Sequence, residues 1–146
     1  MLVAVIGDSN AVRFGERLRG QDTGVSLLAR NGATTAEARS QLKKAAPGQT
    51  IFLIVGTNDF SPTAAMHLLQ KLCDDAEADG HPVMVLKPVF KCNEQLATRR
   101  QHAVSSPQQL SVFRNDSRVI DIGDYSYLDN IHLKDQCLDK IVQAVL

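Results

Sequence analysis

Leu2-Val3-Ala4-Val5-Ile6-Gly7-Asp8-Ser9-Asn10 begins with five apolar residues in a row, which stop at a glycine and run into three polar ones. A strand with one wet face alternates, whereas a short unbroken apolar run ending at a turn residue fits a strand covered on both faces. Four more runs follow, mostly continuous, at Val25–Ala29, Ile51–Val55, Val83–Leu86 and Val119–Ile122, broken only by Ser26 and Asp121. Longer segments with apolar residues at helical spacing separate them. Strands alternating with helices predict a three-layer α/β/α domain, with a five-stranded parallel sheet in the order 2-1-3-4-5.

The helices carry their own punctuation. Thr34-Thr35-Ala36-Glu37 has the spacing of a capping box, and its helix is expected to fade near Pro47-Gly48. Ser61-Pro62 places a cap before a proline at the first helical position. The helix that follows sets Ala65, Leu68, Leu69, Leu72 and Ala76 on one stripe and stops at Gly80. A last stripe runs through Leu138, Ile141, Val142 and Val145. Between Asn93 and Phe113 the pattern is weak, and Ser105-Ser106-Pro107 breaks any helix there.

Composition bounds the function. At 146 residues the chain suits one domain, 1–146, with a core of its own. Sixteen basic residues balance sixteen acidic ones, which argues against a nucleic-acid partner or an anionic membrane surface. No apolar run approaches the ~20 residues of a membrane span. The N-terminus lacks the basic stretch of a signal peptide. Cys73, Cys92 and Cys137 form an odd, scattered set without a CxxC pair, so neither a disulfide framework nor a zinc site is expected. A cytoplasmic protein without metal or cofactor is the expectation. With no tryptophan, a broad aromatic sugar platform is not expected either.

In a sheet of this order, ligands bind beyond the carboxyl ends of the strands, near the switch point between the first and third. Gly7-Asp8-Ser9-Asn10 follows the first strand, and Asn31-Gly32-Ala33-Thr34-Thr35 the second. Gly56-Thr57-Asn58-Asp59 follows the third, and the loop after the fifth reaches Asp129-Asn130-Ile131-His132. One rim therefore collects a serine, a glycine turn, an asparagine and an Asp/His pair. Ser9 suits a nucleophile, and His132 a base to take its proton. Asp129, three residues earlier, is spaced to hold the imidazole in the right tautomer. The Ser9 N–H, the Gly32 N–H and the Asn58 amide would supply an oxyanion hole. The reach is sufficient. The fifth strand lies about 14 Å from the first, and the segment 123–131 can extend up to ~30 Å.

These four blocks, in this order, resemble the signature blocks of the SGNH (GDSL-type) hydrolases, and the match spans nearly the whole chain. The resemblance implies a flavodoxin-like fold and a serine esterase needing no cofactor. It assigns Ser9 as nucleophile, Gly32 and Asn58 to the oxyanion hole, and Asp129 and His132 to the rest of the triad. Three departures stand out. The first block ends in Asn10 rather than leucine, Ala33 replaces a polar residue, and the chain is short for the family.

Plainer readings exist for each residue. Ser9 has the chemistry of a helix cap, Gly32 of a turn residue, and Asp129 of an ordinary helix start. His67 and His102 fall on predicted helices and are expected at the surface, while Cys73 and Cys137 are expected in the core. Two alternatives compete with an esterase: an SGNH-like module that only binds, and a receiver-type phosphoacceptor domain using Asp8. The receiver needs several carboxylates around Mg²⁺, and Asp8 has no acidic neighbour in sequence. Within the esterase reading, Phe60, Phe90, Tyr125 and Tyr127 are candidates to line a small open cleft. Such a cleft favours a short acyl group, such as acetyl on a carbohydrate, over the long chain of a lysophospholipase or thioesterase substrate.

Overall fold

Strand β1 (Val3–Gly7) is buried at all five positions, as its unbroken apolar run predicts. A computed structural model of the chain describes residues 2–21, 24–56, 58–59, 62–86, 116–122, 128 and 132–146. Among these, β1 is followed by α1 (Ser9–Arg19), β2 (Val25–Leu27), α2 (Thr35–Leu42), β3 (Thr50–Ile54), α3 (Pro62–Ala78), β4 (Val83–Leu86), β5 (Val119–Ile120) and α4 (Asp135–Val145). The sheet has the order β2-β1-β3-β4-β5, and every pairing is parallel. The order expected from the alternation of elements is the order observed.

Alternate residues of the central strands feed two cores. Ala4, Ile6, Ile51 and Leu53 pack with Ala38 of α2 and with Leu69 and Leu72 of α3. Val3, Val5, Phe52 and Ile54 pack on the other face with Phe14 and Leu18 of α1 and Leu138 and Ile141 of α4. Each large apolar side chain buried in this way contributes about 1.5–3 kcal/mol. The Phe14 and Phe52 rings stack at 4.5 Å, 23° from parallel, which pins α1 to β3 below the Ser9 turn.

Several ends fall elsewhere than expected, each for a local reason. Strand β2 stops at Leu27 rather than Ala29, because the Leu28 and Ala29 amides both turn onto the Val5 carbonyl. Helix α2 stops at Leu42, well short of Pro47-Gly48, and the Lys44 and Ala45 amides close tighter turns onto residues three back. Strand β5 ends at Ile120 rather than Ile122, where its partner β4 ends at Leu86. The stop after α3 is as expected. Gly80 takes φ +89°, the Gly80 amide bonds Glu77 and the His81 amide bonds Ala76, a Schellman arrangement that only a left-handed residue completes. The Ser61 cap and the segment 93–113 lie outside the described residues. No described helix is long and apolar enough to cross a membrane.

Gly7 is the tightest point of the frame. Its φ is +141°, and a Cβ there would sit 1.9 Å from the Ile54 carbonyl oxygen. Because backbone is the obstacle, no side-chain rotation relieves it. Gly7→Ala is expected to cost on the order of 4 kcal/mol or more, read as a lowered urea midpoint.

Candidate active site

At the end of β1 the chain must turn sharply into α1, and Asp8 makes the turn. It is the N-cap of α1, its Oδ1 accepting from the amides of Asn10 at 2.9 Å and Ala11 at 3.4 Å. Its own amide donates to the Ile54 carbonyl. The cap role open to Ser9 in the sequence thus belongs to Asp8. Ser9 is the first residue of the helix and half-buried, and among the described residues no hydrogen bond engages its hydroxyl.

Asn10 and Arg13 bring in the fourth block. The buried Asn10 side chain accepts from the Leu133 amide at 2.9 Å, and the Arg13 guanidinium donates to the Leu133 carbonyl. The residue after Ser9 is thereby bonded to the residue after His132, and the half-buried His132 is drawn to the N-terminus of α1. Farther along α1 and α4, Arg17 reaches Asp135 and Asp139; these exposed pairs are worth at most about 1 kcal/mol each. The Leu128 amide donates to the His132 carbonyl at 2.8 Å. Asp129 itself lies outside the described residues, as do Phe60, Phe90, Tyr125 and Tyr127.

The second and third blocks are stitched together. Ala33 donates its amide to the Arg30 carbonyl, and Gly32, the third residue of that turn, has φ +79°. This is the conformation a type II turn demands at that position. Gly32 is exposed, with open space where a side chain would stand. Ala33, which departs from the family pattern, is fully buried, and its carbonyl accepts from the Asn58 amide at 3.1 Å. A primary amide has two N–H groups, so this bond fixes the half-buried Asn58 and leaves a second donor. Asp59 completes the seam, accepting from the Thr35 amide and, at 2.7 Å, from the Thr35 hydroxyl. The Gly32 loop is thus held to the third block by Asn58 and Asp59.

Thr34 caps α2, accepting from the Glu37 amide as the capping box predicts. Among other flagged residues, His67 is exposed and Cys73 and Cys137 are buried, as expected. Burial pushes the Cys73 thiol up to about 12, which leaves it unreactive. His81 is also buried, with Nδ1 2.8 Å from the Gln49 carbonyl. His102 and Cys92 lie outside the described residues. Sequence reasoning assigned no role to Asn10, Gln41 or Asp59. Asn10 and Gln41 carry a visible signal, being polar residues in step with apolar positions, Asn10 four before Phe14 and Gln41 three after Ala38.

Burial raises the Asp8 carboxyl to about 7, against the Asn10 and Ala11 amides that lower it, and the charge of Asp59 adds a smaller push. Its second oxygen, Oδ2, is buried without a hydrogen-bond partner among the described residues, so the charged form is poorly solvated. The folded protein therefore holds a proton on Asp8 that the unfolded chain releases between the ordinary value of 3.8 and about 7. The folded state binds more protons across that window, so this group's contribution to stability falls as pH rises through it. Asparagine caps helices equally well and does not titrate. Asp8→Asn is expected to gain several degrees of Tm relative to wild type between about pH 5 and about pH 8, measured by thermal denaturation.

No protein-family model matches the sequence, and no curated protein matches it. Solved structures do resemble the fold. A GDSL-like lipase from Bacteroides thetaiotaomicron superposes with a TM-score of 0.71 at 14% identity, covering 98% of this chain and 84% of that one. An acetyl xylan esterase superposes at 0.63 with 16% identity, covering 99% of each chain. The C-terminal domain of the Drosophila Oskar protein superposes at 0.60 with 13% identity, over 96% of this chain and 84% of the other. The resemblance that the four blocks suggested is thus matched by the three-layer fold of GDSL-type lipases and esterases.

Proposed function

We propose that this chain is a serine esterase that hydrolyses short acyl esters. One observation carries the reading: Asp8 takes over the helix cap, so that Ser9 stands at the head of α1 with its hydroxyl uncommitted among the described residues, while Asn10 and Leu133 bond its neighbour to that of His132. In the proposed reaction, His132 removes the Ser9 proton as Oγ attacks the ester carbonyl. Asp129 holds the imidazole and stabilises its charged form. The Ser9 and Gly32 amides and the second Asn58 N–H receive the developing oxyanion. His132 then returns the proton to the departing alcohol, leaving an acyl-enzyme. A water molecule activated by the same histidine releases the acid.

The exposed Gly32 turn beside the half-buried Asn58 supports an open cleft. That favours a small acyl group, acetyl on a carbohydrate being the leading candidate, and the likeness to an acetyl xylan esterase agrees with it. A non-catalytic binding module on the same scaffold is the second reading, supported by the likeness to the Oskar domain, since a fold by itself does not choose between the two. A receiver-type phosphoacceptor is disfavoured, because Asp8 is buried and committed to the cap.

Wild type is expected to cleave acetyl aryl esters faster than octanoyl ones and to be labelled by a fluorophosphonate. Ser9→Ala is expected to lose both turnover and labelling. A wild type that neither turns over nor labels would leave the binding module as the better account. Asn58→Ala is expected to lower kcat by about 10²- to 10³-fold with labelling at Ser9 retained but slowed, read in steady-state assays.

A further inference from the structure

Residues Val3, Val5 and Gly7 of β1 turn their backbone groups toward β2. The Val3 amide bonds the Gly24 carbonyl, and the Val5 carbonyl takes the Leu28 and Ala29 amides. Gly7 is next in that series, but β2 has ended at Leu27 and the chain has left to form the Gly32 turn. The Gly7 carbonyl still receives the Arg30 amide. Its N–H no longer has a strand to donate to.

Gln41 fills the place of the missing strand. From α2, 34 residues away, its Oε1 accepts from the Gly7 amide at 2.7 Å. Its Nε2 donates to the Gly7 carbonyl at 3.1 Å. The side chain is buried, 4% exposed, so neither bond competes with water. Gly7 has no Cβ to restrict it, and Asp8 and Ser9 follow directly. The Gly7 N–H and C=O belong to the two peptide planes on either side of its Cα, so bonds to both fix the backbone that leads into Ser9. Helix α2, which starts after the Gly32 turn, carries this carboxamide near its C-terminal end.

We propose that Gln41 is a positioning residue for the reaction at Ser9: its carboxamide holds Gly7 at both N–H and C=O and so orients the turn that carries Ser9. The proposal rests on the esterase reading above. A side chain that only filled space would be replaceable by an apolar one of similar volume. A side chain that orients the nucleophile would not, and its loss would act on kcat with substrate binding retained.

The test uses the full chain and two variants, Gln41→Met and Gln41→Glu, with a short-chain aryl ester and a fluorophosphonate. Gln41→Met removes both bonds at similar volume and is expected to lower kcat and the labelling rate about 10- to 100-fold, with KM little changed. Gln41→Glu keeps the acceptor for the Gly7 amide but can donate to the Gly7 carbonyl only when protonated. Burial places that protonation above the ordinary glutamate range. The ratio of its kcat/KM to that of wild type is therefore expected to fall as pH rises. Asp8, Asp59 and His132 are the same in both proteins, so the ratio isolates the change at position 41. A folded Gln41→Met with wild-type kcat and labelling rate would overturn the proposal. If that variant does not fold, a pH-independent ratio for Gln41→Glu overturns it instead. A wild type that neither turns over nor labels would sink the esterase reading and this proposal with it, an outcome distinct from a failure confined to the variants.

Discussion

At the carboxyl end of a buried parallel sheet the strands stop pairing before their backbone groups stop needing partners, and an unsatisfied buried N–H or C=O is costly. In this chain the loops that leave the sheet meet that need for one another. Gly7 is completed by Gln41 and Arg30, Ala33 by Asn58, Thr35 by Asp59 and Leu133 by Asn10 and Arg13. Each bond joins segments distant in sequence, and those of Asn58 and Asp59 join the second and third blocks directly. Satisfying the rim and assembling the candidate site are therefore a single problem with a single set of side chains. The residues proposed to meet substrate are largely spared from it: Ser9 leaves the cap to Asp8, and Asn58 commits one amide hydrogen of two.

The same economy explains the buried charge. Asp8 is the best available cap for a helix that starts directly under the rim, yet the site that makes capping necessary also excludes water. One carboxylate oxygen is used and the other has no partner among the described residues. The protein accepts a carboxyl that prefers its proton up to about neutral pH in exchange for a serine free of structural duty. Asp59 faces a milder version of this conflict and resolves it with the Thr35 amide and hydroxyl.

Fold and site differed in how legible they were. The sheet order could be read because its cause, continuous apolar runs alternating with amphipathic segments, is local and periodic. Strand and helix ends were less accurate, since Leu28 and Ala29 turn onto the distant Val5 carbonyl, and Lys44 and Ala45 close tighter local turns that the apolar pattern does not mark. Ser9, Gly32, Asn58 and His132 stood out because reactive or turn-forming residues followed predicted strands, although Asp129 and the four aromatic residues lie outside the described structure. The bracing residues were harder to read. Gln41 shows as a polar residue in step with Ala38, but what it binds is set only when the end of β2 leaves Gly7 short of an acceptor. Asn10 and Asp59 sit inside the very blocks that were singled out, but what they bind is fixed only by the tertiary fold.

The bond from Asn10 to Leu133 joins positions 123 residues apart. Chains emerge from the ribosome N-terminal end first, so the serine, its cap and the Gly32 turn can form while the histidine has yet to be made. Until α4 docks beside α1, a nascent chain would carry the proposed nucleophile without its proposed base. Reactivity of the kind proposed would be withheld by the order of synthesis and arrive with α4.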